Sequence, residues 1–235
     1  MGVSEWRVIV DRGRASHEQM TFDEQLAREV LPTLRLFFWE PPAISLGWKQ
    51  RLPEWLNLPQ WRAAGLDVVE RPTGGGMAFH GSDLSFGVVI PRAWDVPLES
   101  QMSAICEVLV RLCHAYGVEA RVECEARTTS RVTYCLAEPA PYSVRIAGRK
   151  VAGFALRRYT ESWLIQGSLL LHSLPGALVS AVPQEVIERL RQHAVALAEV
   201  TSAPLHQQDV AQRFANSWSV WWDEALMGAV GAACL

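Results

Sequence analysis

The chain has 235 residues, 49% of them apolar and 20% charged, with a formal net charge of -3. That length suits one large domain or two small ones, and the apolar share supplies a packed core, which excludes a disordered chain. The slightly acidic balance gives no global case for nucleic-acid binding.

Residues 1–11 mix Glu5, Arg7 and Asp11 with apolar side chains and lack the hydrophobic stretch of a secretory signal. No apolar run approaches the ~18 residues of a membrane span. The expectation is a cytoplasmic protein with neither membrane nor nucleic acid as a partner. Five cysteines is an odd number. In a reducing compartment such thiols are buried, catalytic or metal-binding rather than disulfide-bonded.

Residues 6–11 have strand character. Ser16 to Gln19 spells Ser-x-x-Gln, a capping box, and Met20, Leu26, Ala27 and Val30 follow at helical spacing until Pro32. Residues 34–39 and 43–47 read as strands around the Pro41-Pro42 bend, and 53–64 as a helix closed by Gly65. A strand over 67–71 leads into Gly74, Gly75 and Gly76, and a β-branched strand over 84–90 ends at Pro91. Residues 99–116 place Met102, Ile105, Cys106, Leu109, Leu112, Cys113 and Tyr116 on one helical face, ended by Gly117.

A strand over 118–123, with Cys124 at its end, precedes a polar stretch over 126–133. Residues 142–146, 150–157 and 162–171 then read as antiparallel strands with tight turns at Ala147-Gly148 and Thr160-Glu161. Helices over 184–197 and 207–222 follow, and Cys234 falls in a frayed tail. Ten tryptophans, Trp221 and Trp222 among them, suit core packing better than an interface. No repeat or linker forces a boundary, so a single domain over 1–235 is expected, with a core over 5–172 and C-terminal helices over 184–222. Strands and helices mix without regular βαβα alternation, which predicts an α+β fold of mixed and antiparallel sheets packed with helices.

Three segments carry chemistry. In Arg71-Pro72-Thr73-Gly74-Gly75-Gly76-Met77-Ala78-Phe79-His80, glycines directly after a strand suit either a tight turn or a loop that lets backbone approach a ligand. The spacing matches neither a P-loop nor a dinucleotide fingerprint. In Gly148-Arg149-Lys150-Val151-Ala152-Gly153, a lysine at the start of a strand is commonly a solvated rim residue, whereas Gly153 marks a bulge or an approaching ligand. Cys135 sits in the proline-punctuated loop Tyr134-Cys135-Leu136-Ala137-Glu138-Pro139-Ala140-Pro141-Tyr142, where it is either available for reaction or an inert thiol. Cys106 and Cys113 read as core filler. No pair has C-x-x-C spacing, so no metal site is expected.

Taken in order, these segments resemble the family of lipoate-protein ligases, biotin ligases and octanoyltransferases. The likeness rests on Arg71-Pro72-Thr73-Gly74-Gly75 with His80, on 148–153, on Gly167-Ser168-Leu169-Leu170, and on Met20-Thr21-Phe22-Asp23-Glu24 and Ala43-Ile44-Ser45-Leu46-Gly47, similar to the family's first helix and second strand; it spans roughly residues 5–172. Cys135, Pro139 and Tyr142, upstream of the G-R-K strand, are similar to the cysteine-dependent octanoyltransferases of the Bacillus type. ATP-dependent ligases instead carry Asn-Asp on the strand that reads Tyr142-Ser143-Val144 here. Two departures stand out: Gln166 where the family has His before Gly-Ser, and Phe154-Ala155 where it has Ser-Ala.

The resemblance implies octanoyl transfer from acyl carrier protein to a lysine of a lipoyl-carrier domain, either the glycine-cleavage H protein or a 2-oxoacid dehydrogenase E2. It implies Cys135 as nucleophile and Lys150 as its cation, with Arg71, Thr73, Gly74, Gly75, Gly76, His80, Gly153 and Ser168 binding the substrate. No cofactor is expected; ATP and Mg enter only if the chain is a ligase. An amidotransferase drawing on the H protein and a non-catalytic carrier-binding relative are the other readings. Met77, Phe79 and Leu84 are either walls of the acyl slot or core.

Overall fold

The computed structural model describes residues 5–11, 13–123 and 133–229. Cys124, Cys234 and all but the last residue of the polar stretch 126–133 lie outside them. Seven strands form the larger sheet: β1 (Arg7–Val10), β2 (Thr33–Phe37), β6 (Asp83–Pro91), β7 (Arg121–Glu123), β8 (Ser143–Ile146), β9 (Arg149–Arg158) and β10 (Ser162–Leu170). Their order is β1-β2-β6-β10-β9-β8-β7. At its centre β6 and β10 pair antiparallel along their whole lengths, from Ser162 opposite Pro91 to Leu170 opposite Asp83. Only β1 and β2 run parallel, and α1 (Ser16–Glu29) makes the crossover that a parallel pair needs. The smaller sheet has the order β4-β3-β5, from β3 (Ala43–Leu46), β4 (Asp67–Glu70) and β5 (Ala78–His80). The fold is α+β with mixed sheets, as expected.

Two helices cover one face of the larger sheet, α3 (Leu98–His114) and α6 (Gln207–Ala229). On α6, Val210, Phe214, Trp218, Trp222 and Ala225 recur at helical spacing, and all are buried. Trp222 is core and Trp221 packs against it from a partly exposed position. Cys106 and Cys113 lie buried on the apolar face of α3; burial pushes the Cys106 thiol far up and the Cys113 thiol up to about 12, so both stay protonated. The smaller sheet packs against α2 (Leu58–Ala63), α4 (Gly176–Ala181) and α5 (Gln184–His193). Among the described residues, no helix is long and apolar enough to cross a membrane.

The helix starts differ from expectation for local reasons. Ala15, not Ser16, holds the cap position of α1, and its N–H is satisfied by the Glu18 carboxylate at 3.2 Å. Gln19 instead turns inward and donates to the Phe38 carbonyl at 3.1 Å. The helix expected over 53–64 begins only at Leu58, because Asn57 caps it through Gln60 N–H at 3.2 Å and Pro59 fits the first turn. α4 was not anticipated.

The β8–β9 hairpin turns on Ala147 (φ 47°) and Gly148 (φ 79°), the two positive φ values of a type I′ turn. Alanine has no means of relieving that conformation, whereas asparagine tolerates it. Ala147→Asn should therefore raise the unfolding free energy by about 1 kcal/mol. A urea titration checks this, and an unchanged or lower midpoint contradicts it.

Candidate active site

The smaller sheet meets β6, β9 and β10 across a narrow cleft. Asp83, at the start of β6, organises its polar part. Oδ2 accepts from His80 Nδ1 at 2.9 Å, Ser85 Oγ at 2.8 Å and Ser168 Oγ at 2.6 Å, and Oδ1 accepts from Gly81 N–H at 3.1 Å. Burial works against the charge, but His80 and these hydrogen bonds outweigh it and hold the carboxyl below the usual range. His80 Nε2 lies 2.7 Å from Ser45 Oγ, and Trp39 stacks on the imidazole at 4.2 Å.

Arg71 follows β4 and is buried. Its Nη1 donates to Ser45 O (3.1 Å) and Ser45 Oγ (3.2 Å), and its Nη2 to Gly74 O (2.6 Å) and Gly76 O (2.7 Å). The glycine run thus wraps its carbonyls around a guanidinium. Gly75 has a φ of 86°, and a Cβ on Gly47 would come 2.0 Å from Gly75 O, so glycine is required on both sides of this crossing.

Thr73 points the other way. Its hydroxyl donates to Gln166 Oε1 at 2.9 Å, and Gln166 Nε2 donates to Asp23 Oδ2 at 2.6 Å. Asp23 is paired in turn with Arg35, at 2.7 Å, and Arg35 with Asp11, at 3.1 Å. Burial raises the Asp23 carboxyl, with Arg35 opposing it. A neutral amide at position 166 serves both neighbours, accepting from the threonine and donating to the acid, which gives the departure at Gln166 a physical use.

The Cys135 loop is pinned to the end of the glycine run by two backbone bonds, Met77 N–H to Thr133 O and Cys135 N–H to Met77 O, both 2.8 Å. Glu138 closes the loop by accepting from Thr133 N–H at 3.0 Å and Tyr134 N–H at 3.2 Å. Cys135 is partly exposed and lines the cleft. Lys150 is buried at 1% exposure, and its Nζ donates to Cys135 O at 2.8 Å and Glu138 O at 3.4 Å. Burial pushes its pKa down, while an ionised Cys135 opposes that shift.

Neither Lys150 nor Arg71 has a carboxylate within 4.0 Å among the described residues. For Arg71 too, burial disfavours the charge and an ionised Cys135 supports it.

A bulge places the lysine. The register shifts between Val144 and Arg145, so that Ala152 and Lys150 oppose successive residues of β8 and Val151 is the extra one. Lys150 can then lie over Gly153, where a Cβ would approach its Cε to 3.0 Å. A side chain at 153 would press the lysine stem aside by a few tenths of an ångström. Gly167 has a similar part, since a Cβ there would strike the Phe86 ring at 2.1 Å.

Of the residues singled out in the sequence, Arg71, His80, Cys135, Gly153 and Ser168 line this one cleft, and Lys150 reaches its loop from behind. Thr73 contacts Gln166 instead, and Ser168 donates to Asp83. Of the two readings for Met77, Phe79 and Leu84, the structure supports core. Met77 and Phe79 belong to the core of the smaller sheet, on the side of β5 opposite His80, and Leu84 belongs to that of the larger sheet. Apolar walls come from Met20, Phe37, Trp39, Phe86 and Phe154. Asp83, Ser85 and Trp39 are not marked by the sequence as site residues, and Ser45 only as part of the strand segment 43–47; the His80-x-x-Asp83 spacing is the one local signal for the acid. Among the described residues no three His, Cys, Asp or Glu side chains gather to hold a metal ion.

Comparison with known proteins agrees with this geometry. The lipoyl protein ligase A/B catalytic domain matches residues 15–219. The chain belongs to that family. Among members of the family, the octanoyltransferase LipM of Symbiobacterium thermophilum is 32% identical, over 91% of this chain and 85% of its own. That of Brevibacillus brevis is 28% identical, over 92% and 87%. A solved lipoate-protein ligase A bound with ATP superposes with a TM-score of 0.72 at 17% identity, covering 96% of this chain and 94% of its own. A bi-partite lipoate protein ligase of Thermoplasma acidophilum, solved in a study that includes its E2 lipoyl domain, gives 0.70 at 18% identity, covering 96% and 91%. At those identities the structures share the fold of this family member.

Asp83 makes an acid-stability test. Its depressed carboxyl contributes fully above the unfolded value of about 3.9 and loses that contribution as pH falls through the folded value. Asp83→Asn should cost about 3 kcal/mol at pH 7. It should also flatten the loss of stability below pH ~4. Urea titrations at pH 7, 5 and 3 decide it, and parallel acid limbs in the two proteins would count against Asp83.

Proposed function

We propose that this chain transfers an octanoyl group from acyl carrier protein to a lysine of a lipoyl-carrier domain, through a thioester on Cys135. The observation that carries the reading is a partly exposed thiol whose charge would support two buried cations, Lys150 and Arg71, neither of which has a carboxylate within 4.0 Å among the described residues. A buried charge without a counter-ion is costly. A thiolate, or the oxyanion formed when it attacks, offsets that cost. The octanoyltransferase relatives support the choice of acyl group.

In the first step the Cys135 thiolate attacks the donor thioester carbon. The oxyanion collapses, the bond to the carrier sulfur breaks, and that sulfur leaves and takes up a proton. In the second, the neutral amine of the target lysine attacks the Cys135 thioester. The new C–N bond forms, the C–S bond breaks, and the Cys135 thiolate returns. Arg71 stabilises the negative charge in both steps, and Lys150 does so in the first and then gives its proton to the leaving carrier sulfur, which leaves it neutral for the second. Burial eases deprotonation of Lys150, which suits it to take the proton that the amine releases. Thioester to amide is downhill, so no nucleotide or metal is required. The acceptor is the glycine-cleavage H protein or a 2-oxoacid dehydrogenase E2.

The ligase with ATP bound and the same fold make nucleotide activation the second reading. One experiment separates them. Protein mixed with octanoyl carrier protein alone should gain one octanoyl mass, and Cys135→Ala should not. Product formed only from ATP, free octanoate and a carrier domain would overturn the transfer reading.

Lys150→Met gives a second test. It removes an uncompensated buried charge, so the thermal midpoint should hold or rise. Acylation of Cys135 should nevertheless slow by about 10²–10³-fold. A destabilised variant with wild-type acylation would contradict both parts.

A further inference from the structure

Resting on that acyl-enzyme reading, we infer that Glu138 is a positioning residue for the reaction: its carboxylate closes the Cys135 loop, and the closed loop sets the thiol beside the Lys150 ammonium. The loop has few bonds of its own. Ala137 N–H donates to Tyr134 O at 3.2 Å, and Leu136 and Ala137 are buried in the core of the smaller sheet. The Glu138 side chain supplies the closure. Its Oε2 accepts from Thr133 N–H at 3.0 Å and its Oε1 from Tyr134 N–H at 3.2 Å, which ties a residue after the nucleophile to the two residues before it. The backbone carbonyl of the same residue accepts from Lys150 Nζ at 3.4 Å, alongside the Cys135 carbonyl at 2.8 Å. Both carbonyls that hold the ammonium therefore belong to the ring that the carboxylate closes.

These bonds also commit the negative charge away from the lysine. Each carboxylate oxygen already serves an N–H group, and Arg189 of α5 approaches Oε1 to 3.5 Å while its guanidinium lies 5.9 Å from the centre of the Tyr134 ring. The Glu138 side chain is only 11% exposed, so water competes little for its two hydrogen bonds. Arg189 is 50% exposed and contributes modestly. Glu138 is not part of the cleft lining, so its effect on the acyl group passes through Cys135 and Lys150. A side chain without an acceptor leaves the two N–H groups unpaired and lets the ring open. Misplacing a reacting group by about 1 Å costs on the order of 10²-fold in rate.

The test is the rate at which Cys135 is acylated by octanoyl pantetheine, read by intact mass. Glu138→Met and Glu138→Ala should each slow it by about 10²-fold. Glu138→Gln, with the same length and one acceptor oxygen, should recover about tenfold or more of that loss. Each substitution is then repeated with Lys150→Met, where it should change the rate by less than about threefold, because the partner it acts through is gone. A folded Glu138→Met protein acylated at the wild-type rate overturns the inference. So does a glutamine variant as slow as the methionine one, which would place the effect in the charge. The full loss repeated on the Lys150→Met background overturns it as well, since a loop support that bypasses the lysine would behave that way. If the methionine and alanine variants do not fold, Glu138→Gln decides: slowing confined to the background that retains Lys150 supports the inference, and equal slowing on both overturns it. Wild type without any adduct would remove the acyl-enzyme reading and this inference together, whereas a wild-type adduct with indifferent Glu138 variants removes this inference alone.

Discussion

Two positive charges sit inside this protein whose hydrogen bonds, among the described residues, go to carbonyl and hydroxyl oxygens, and most of the cleft is arranged to keep them there. Lys150 is held by the carbonyls of Cys135 and Glu138, and Arg71 by those of Ser45, Gly74 and Gly76. Dipoles of this kind stabilise a cation without neutralising it. The local field therefore stays positive beside Cys135, the partly exposed thiol of the cleft. A carboxylate placed within reach of either side chain would remove that field. Glu138, the nearest candidate in the loop, is occupied with Thr133 N–H, Tyr134 N–H and, at 3.5 Å, Arg189.

Glycine makes this geometry possible at a few specific places. Gly47 lets the chain leaving β3 pass against Gly75, which brings the run's carbonyls to Arg71. Gly153, combined with the bulge at Val151, gives the Lys150 stem a path to the Cys135 loop. Gly167 leaves room for the Phe86 ring on the facing strand. Around these crossings the acids are arranged for rigidity. Asp83 gathers three side chains from β5, β6 and β10, and Asp23 joins α1 to β2 and β10 through Arg35 and Gln166. Buried polar networks of this kind stabilise when every member is satisfied, and they leave the walls little freedom to adapt.

Much of this was legible in the sequence because its signals are local. Periodicity marked α3 and α6, alternation and turn chemistry marked β8, β9 and β10, and the glycine runs marked the crossings. The family motifs brought Arg71, His80, Lys150 and Cys135 forward as a set. Met77 and Phe79 are core and not acyl-slot walls for a specific reason. Met77 and Phe79 are apolar and close in sequence to the motif, but they flank Ala78 and His80 on a strand whose neighbours point to opposite faces. Proximity along the chain does not decide the face. Trp39 carries no motif, Ser45 stands only in a strand segment of the resemblance, and both enter the cleft because β3 and the chain after β2 are brought against β5 and β6.

Composition, periodicity and ordered motifs by themselves determined the fold class, the main elements and the family, since each depends on residues near one another in the chain. Tertiary structure alone decided which charges lack a close carboxylate, which polar groups are paired and which aromatic rings line the cleft. Those properties depend on distances between side chains from strands as far apart in sequence as β3 and β10. No local pattern encodes them, because burial and hydrogen-bond satisfaction exist only once the two sheets have closed on each other.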